Sequence, residues 1–163
     1  MARKIPETLT EPELTQLLKS VKKDHHRLAY ALGFYQAMRI SEIINLQPSN
    51  IDYGQKLIRI KGGKGDKDRN IPIAPEVIKG LKHLPIKCGA RALELAFKEH
   101  LKKAGIHKDL HFHSLRHSGA TFYINAKKWD LRSVQVFLGH SRVSTTEIYT
   151  HVNPEDLVKR MWE

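Results

Sequence analysis

The feature that most constrains the fold is a run of apolar residues at positions 28–35. A membrane-spanning helix needs about 20 apolar residues, so this shorter run predicts a helix buried in the core of a globular domain. Capping motifs and apolar residues at helical spacing predict further helices along the chain. These cover residues 10–19, 40–47, 93–105, 114–126, 130–138, a short segment around 144–149, and a terminal segment from 154.

One stretch of the chain has the pattern of strands instead. Residues 57–61 and 69–73 are rich in β-branched side chains and flank a basic, glycine-rich loop, which predicts a β-hairpin. Proline cannot donate a backbone hydrogen bond, so Pro72 is expected on an edge strand. Residues 51–54 add a short strand and a turn. The sequence therefore predicts an α+β fold that is mainly α-helical, with a small antiparallel three-stranded sheet.

The length and composition exclude several classes of protein. A chain of 163 residues suits one globular domain, and its 28 Lys and Arg against 17 Asp and Glu leave a net charge of +11. That excess favours a polyanionic partner such as nucleic acid, although an acidic membrane surface or a solvated lysine face fits the same composition. Cys88 is the single cysteine, which argues against a disulfide framework and any cysteine-based zinc or iron–sulfur site. With no signal peptide or apolar span, a cytoplasmic location without membrane contact is expected.

A histidine and an arginine are spaced to share one face of a helix. His113 and Arg116 lie three residues apart at the start of the helix predicted from about residue 114. An arginine fork beside an imidazole suits a phosphate group, whereas the alternative is a capping histidine and a solvated arginine. A zinc site formed by His111, His113 and His117 is disfavoured, because no cysteine or third carboxylate ligand accompanies them.

Two other motifs are ambiguous when each is taken alone. The glycine-rich loop at residues 62–65 suits a phosphate bound by backbone N–H groups, but it departs from the Walker pattern and is also typical of a flexible hairpin tip. Arg39 lies among apolar neighbours and must pair or face a ligand, because a buried unpaired charge is costly. A salt bridge to Glu42 within the same helix would satisfy it.

Taken in chain order, these residues resemble the catalytic domain of the tyrosine recombinases, the family of phage integrases and Xer proteins. The resemblance spans nearly the whole chain, and four spaced motifs in order are far more specific than any one of them. The matching segments are residues 37–42, 63–72, 113–117 and 138–152.

The resemblance implies DNA cleavage by a tyrosine nucleophile. Tyr149 would attack the scissile phosphate and form a 3′-phosphotyrosine, which conserves the bond energy for religation without ATP. Arg39 and Arg116 would neutralise the charge that develops on the phosphate oxygens. Glu42 would orient the Arg39 side of the site.

The remaining catalytic roles follow from the same resemblance. His113 and His140 would hydrogen-bond the phosphate, with His113 also assisting proton movement. Lys64, on the hairpin loop, would protonate the leaving 5′-oxygen as a general acid. No metal and no other cofactor is expected, because two fixed arginines can supply the positive charge that the reaction needs.

The resemblance also names the partners. Double-stranded DNA is the expected substrate, and the family implies a synaptic tetramer on DNA, with a monomer compatible when the chain is free. The terminal helix has an apolar side that suits either a neighbouring protomer or its own core.

We expect one catalytic domain over residues 1–163, without the N-terminal core-binding domain that completes the family's clamp. Further contacts with DNA are expected at Lys67, Arg69, His117, Arg132, Ser141, Arg142 and Thr145.

Other functions use overlapping residues. A type IB topoisomerase-like relaxase performs the same cleavage without exchange between paired sites, and a DNA-binding fragment would hold DNA but stay inactive without its clamp domain. A metal-dependent nuclease is a more distant alternative, which sensitivity to chelators would reveal. Because every catalytic position is filled, the sequence favours a site-specific recombinase or integrase.

Overall fold

The computed structural model describes residues 6–62, 68–139 and 154–163. Within these ranges no helix is long and apolar enough to span a membrane. The described residues form seven α-helices, three strands and two 3-10 turns. The helices are α1 (Glu11–Lys19), α2 (Asp24–Tyr35), α3 (Ile40–Asn45), α4 (Ala90–Lys103), α5 (Phe112–Asn125), α6 (Leu131–Leu138) and α7 (Pro154–Trp162), the strands are β1 (Ile51–Asp52), β2 (Leu57–Ile60) and β3 (Arg69–Pro72), and the turns are Pro48–Asn50 and Ile78–His83.

The structure confirms the predicted fold class, and it extends several helices beyond their apolar stripes. The α1 cap is as predicted: the Glu13 N–H donates to the Thr10 hydroxyl at 3.3 Å, and the Thr10 N–H donates to the Glu13 carboxylate at 3.0 Å. Helix α2 starts four residues before the apolar run, and α5 starts at Phe112 rather than about 114. The first turn of α2, residues 24–27, is polar or charged in sequence, so apolar spacing alone does not mark it.

The three strands form an antiparallel sheet in the order β1-β2-β3. Ile58 of β2 lies opposite Ile51 on one side and Ile71 on the other, and Ile58 and Ile71 are fully buried. The central position of β2 leaves β3 at an edge, which confirms the prediction made from Pro72.

Helix α2 forms the centre of the core, where it crosses α5. Every residue from 28 to 35 is buried, as the apolar run predicts. Gly119 of α5 lies directly against the backbone of α2, because a Cβ at Gly119 would stand 2.0 Å from the carbonyl oxygen of Phe34. One turn earlier in α2, the Tyr30 ring meets Phe97 of α4 edge-on, with centroids 5.4 Å apart, and Phe97 in turn meets Phe112 of α5. Helices α4 and α5 therefore hold α2 through side-chain packing and a close backbone approach.

The terminal helix α7 packs on the chain's own sheet and core. Leu157 and Met161 are buried, and the Trp162 indole N–H donates to the carbonyl oxygen of Ile73 at 3.0 Å. The Lys56 ammonium lies 3.9 Å from the centroid of the Trp162 ring, a cation–π contact. Of the two predicted arrangements for the apolar side of this helix, the structure has the one in which it covers its own core.

We expect Gly119→Ala to destabilise the protein by about 3 kcal/mol, because the added methyl group overlaps the Phe34 carbonyl and must push α5 away from α2. Urea unfolding followed by circular dichroism measures the loss. The matched control is Gly54→Ala, where the added Cβ meets its nearest neighbour at an ordinary 3.5 Å, and a change within about 0.5 kcal/mol is expected. Equal effects of the two substitutions would mean that the helix contact is not close-packed.

Candidate active site

The site is built at the point where α2 ends. Gln36, the residue after the helix, is fully buried, and its side-chain amide donates to the carbonyl oxygen of Pro72 at 2.7 Å and accepts from the Ala74 N–H at 2.5 Å. Ala37 then adopts a left-handed backbone conformation with a φ of 49°, which is uncommon for a residue with a side chain. This turn carries the chain directly to Arg39, the N-cap residue of α3.

Arg116 of α5 joins the ends of two helices. Its guanidinium donates from Nη1 to the carbonyl oxygen of Ala37 at 2.7 Å and from Nη2 to that of Leu138, the last residue of α6, at 2.8 Å. The residue is only 6% exposed. Burial, followed by the positive charges of Arg39 and Arg69, lowers the pKa of Arg116 to about 10, so the group stays protonated at neutral pH.

Glu42 is the carboxylate that balances this positive charge. It accepts two hydrogen bonds from Arg69, from Nη1 at 2.6 Å and Nη2 at 3.1 Å, and one from the Arg39 N–H at 2.9 Å. The Arg39 guanidinium lies 3.5 Å from the same carboxylate. Burial by itself would raise the pKa of Glu42, but the hydrogen bonds from Arg69 and Arg39 and their charges outweigh it and lower the pKa.

His113 lies at the edge of this cluster, in the first turn of α5. Partial burial, then the charges of Arg116 and Arg39, lower the pKa of His113, so its imidazole is neutral at neutral pH. A neutral imidazole can donate one hydrogen bond to an anion and can accept a proton. His113 lies one turn before Arg116 on α5, on the same face of the helix, so the two side chains can serve one anion.

The end of α6 closes the cluster on another side. Gly139 ends this helix in the left-handed conformation, with a φ of 76°, which glycine adopts readily. A Cβ at Gly139 would lie 2.6 Å from Cδ of Arg69, so the glycine leaves room for that side chain. Arg39 and Arg69 pair with Glu42, and Arg116 is close enough for its charge to interact with all three. Three guanidinium groups and one carboxylate leave an excess of two positive charges, which suits an anion such as a phosphate.

The structure brings together five of the residues singled out from the sequence, namely Arg39, Glu42, Arg69, His113 and Arg116. It gives Arg69 a different environment from the expected one, because its side chain is 12% exposed and paired with Glu42 instead of lying on the surface to meet DNA. The partners are 27 residues apart, so no helical or strand spacing connects them. Sequence reasoning also missed Gln36 and Ala37, whose roles depend on tertiary contacts.

The other expected site residues divide into two groups. His117 is exposed on α5, where its charge acts on His113, and Arg132 is partly buried on α6. Within the described ranges, His111, His113 and His117 do not converge on a point that could hold a metal. The remaining predicted residues lie outside the described residues: Lys64, Lys67, His140, Ser141, Arg142, Thr145 and Tyr149.

Comparison with known proteins gives a consistent result. The sequence profile of the phage integrase family matches residues 7–156. A tyrosine recombinase of Thermosipho africanus is 36% identical over 98% of this chain and 63% of its own length. The crystal structure of the XerA recombinase has a TM-score of 0.76 at 29% identity, over 98% of this chain and 64% of that one. The XerH site-specific recombinase bound to its difH substrate has a TM-score of 0.69 at 25% identity, over 85% and 48%. The chain spans less than two thirds of each of these proteins.

We expect Glu42→Gln to destabilise the protein by about 3 kcal/mol at neutral pH, because it leaves the largely buried Arg69 without its counter-charge. The folded-state pKa of Glu42 is below its ordinary value of 4.5, so the unfolded chain binds the proton more tightly. The stabilisation is therefore complete above pH 4.5 and is lost as the pH falls through the folded-state value.

Urea unfolding at a series of pH values tests this expectation. The difference in the free energy of unfolding between the parent chain and Glu42→Gln should shrink as the solution becomes more acidic. Glu76→Gln, which alters an exposed carboxylate outside the cluster, serves as the control and should follow the parent at every pH. A difference that stays constant with pH would contradict the assignment of Glu42 as an ionised partner of Arg69.

Proposed function

Because the chain belongs to the phage integrase family, we propose that it acts as the catalytic domain of a site-specific tyrosine recombinase, cleaving and rejoining DNA strands through a 3′-phosphotyrosine. The observation that carries the proposal is the excess positive charge of the arginine cluster, formed by Arg39, Arg69 and Arg116 around Glu42 with His113 beside it. Its relatives are named tyrosine recombinases, which supports recombination over simple DNA relaxation.

Charge stabilisation is the main contribution of the described residues. When the tyrosine oxygen attacks a phosphodiester, negative charge grows on the non-bridging oxygens, and fixed cations lower the barrier. Arg116 is fixed before the reaction, since two carbonyl groups already hold its guanidinium. Its remaining N–H groups are available to a phosphate, because a guanidinium has five donors.

Glu42 and Arg69 act as positioning residues for Arg39. Glu42 holds Arg39 through its backbone N–H and its guanidinium, while Arg69 fixes both oxygens of that carboxylate. The Arg39 side chain is 35% exposed, far more than that of Arg69, so it is the one that meets solvent and substrate. We therefore assign the phosphate contact to Arg39 and the supporting role to Arg69.

The chemical steps complete the proposal. Tyr149 is the nucleophile, and its ordinary pKa near 10 requires that its proton be removed as it attacks. His113, neutral at neutral pH, is suited to take part in that proton movement and to donate to the phosphate. Lys64 is the general acid for the 5′-oxygen, and His140 donates to a non-bridging oxygen. The roles of Tyr149, Lys64 and His140 rest on the sequence motifs alone.

Double-stranded DNA is the proposed substrate. The net charge of +11 favours it, and the similar XerH site-specific recombinase was solved bound to its difH substrate. Binding should weaken steeply as salt increases, because cations that meet phosphates release condensed counterions. We further propose a synaptic tetramer on DNA. The proposed contacts outside the cluster are Lys67, His117, Arg132, Ser141, Arg142 and Thr145.

The first test of this function is a nicked suicide duplex that carries a candidate site. A covalent protein–DNA product on a denaturing gel is expected with the parent chain and is expected to vanish in Tyr149→Phe, because phenylalanine has no nucleophilic oxygen. The product should persist in EDTA, since the arginines supply the charge. A matched control is Tyr53→Phe, which alters an exposed tyrosine and should leave the yield unchanged. A covalent product that survives Tyr149→Phe would reject the assignment of the nucleophile.

A second test addresses the arginine cluster. Arg116→Lys should lower the single-turnover cleavage rate by about 10²–10³-fold, because an ammonium keeps the charge but cannot bond both carbonyl groups and the phosphate together. Arg91→Lys, at an exposed position on α4, is the control and should cleave at the parent rate. The thermal midpoint of each variant is measured alongside, so that unfolding is not mistaken for lost chemistry. Cleavage by Arg116→Lys at the parent rate would contradict the role given to Arg116.

A further inference from the structure

A separate group of polar side chains lies at the opposite end of α2. His25 and His26 are in the first turn of this helix, and Cys88 lies in the loop just before α4. Adjacent residues on a helix point about 100° apart and do not normally face each other. The two imidazole rings nevertheless have centroids only 4.4 Å apart, and one nitrogen of each ring and the Cys88 sulfur all lie within 4.8 Å of one another.

The spacing of these atoms is close to that of a zinc site. Nε2 of His26 is 3.9 Å from Sγ of Cys88. Tetrahedral coordination with Zn–S near 2.3 Å and Zn–N near 2.0–2.1 Å places ligand atoms about 3.5 Å apart. The three atoms therefore need to approach by at most about 1.3 Å, which side-chain rotations provide. The Nδ1 lone pair of His25 already faces the loop, where it accepts from the Lys87 N–H at 3.3 Å.

His26 is poorly satisfied as an ordinary core residue. It is only 9% exposed, and among the described residues its Nδ1 atom has no hydrogen-bond partner. A buried polar atom without a partner costs free energy, and the long contact from Nε2 to a thiol offsets little of that cost. The neighbouring His100 is different, because its Nδ1 is bonded to the Tyr30 hydroxyl at 2.8 Å. Coordination through Nε2 would replace this weak thiol contact with a strong bond to the ion, while Nδ1 would keep its present surroundings.

We propose that His25, His26 and Cys88 bind one zinc ion, with the fourth position open to water. Two imidazoles and a thiolate suit zinc and not magnesium or calcium, which prefer oxygen ligands. The Cys88 thiol releases its proton to solvent when it coordinates the ion, and no electron is transferred. The nearby ammonium groups of Lys23 and Lys87 disfavour a cation bound by neutral ligands, so the thiolate is required.

The proposed ion would hold the first turn of α2 to the loop before α4. From His26 to Tyr35 the helix rises by about 14 Å, so the zinc site is remote from the arginine cluster. The inference therefore does not depend on the proposed DNA chemistry. The prediction that Cys88 forms no zinc site is wrong under this proposal, because it rested on the lack of a second cysteine. The partners of Cys88 are instead His25 and His26, which precede it by 63 and 62 residues.

The test uses the full chain after treatment with a chelator and dialysis. Zinc is titrated against a chromogenic zinc indicator, and cobalt is added separately as a spectroscopic probe. We expect one ion per chain, a thiolate-to-cobalt charge-transfer band in the near ultraviolet, and no competition from magnesium. A free zinc concentration of about 100 times Kd should raise Tm by roughly 5–10 °C.

Variants identify the ligands. Cys88→Ser should abolish the charge-transfer band, and both it and His25→Gln should weaken zinc binding about 100-fold or more. His107→Gln, at an exposed position outside the cluster, is the matched control and should bind as the parent does. Because Cys88 is the single cysteine, zinc should also slow alkylation of the parent chain, a measurement that needs no variant. A failure to bind one ion per chain, a cobalt band retained in Cys88→Ser, or alkylation unaffected by zinc would each overturn the proposal.

Discussion

The contact between α5 and the C-terminal end of α2 is the interaction on which the candidate site depends. The last carbonyl groups of a helix have no partner within it, and here they are buried, so other elements must supply the donors. One face of α5 does so: Tyr123 donates to the carbonyl of Tyr35 at 2.6 Å and Arg116 donates to that of Ala37. Gly119 lies between these two residues on the same face and lets the helices approach this closely. Core packing and the placement of Arg116 are therefore one structural feature.

This arrangement explains how a buried arginine is tolerated. Arg116 is taken out of water beside two other guanidinium groups, and both effects oppose its charge. Two carbonyl groups at helix ends and the carboxylate of Glu42 offset part of that cost. The net charge of Arg39, Arg69, Arg116 and Glu42 is still +2, so a bound anion could neutralise the positive charge that the protein itself does not. If the cluster binds phosphate as proposed, the bound anion stabilises it, as expected where function opposes stability.

The sequence predicts the local features of this structure well and the tertiary ones poorly. The apolar run at residues 28–35, the capping motif that begins at residue 10 and the edge strand with Pro72 each depend on neighbours within a few positions. The family motifs also pointed to Arg39, Glu42, His113 and Arg116. The spacing of these residues in the sequence could not by itself show that they lie close together. The pairing of Arg69 with Glu42 and the approach of Cys88 to His26 join distant parts of the chain. Such contacts are set by how the helices and the sheet pack, and no periodicity encodes them.

The direction of the helices gives the site its polarity. Both α2 and α6 end at the arginine cluster, and the C-terminal end of a helix carries a partial negative charge of about half an electron. These two ends stabilise the guanidinium of Arg116, which lies between them. Helix α5 instead begins there, and its N-terminal end carries partial positive charge next to His113, which favours a neutral imidazole and an anionic ligand. The same rule applies at the far end of α2, where the positive helix terminus opposes a bound cation. An ion held by His25 and His26 must therefore bring the thiolate of Cys88 with it, which is why that site needs its cysteine.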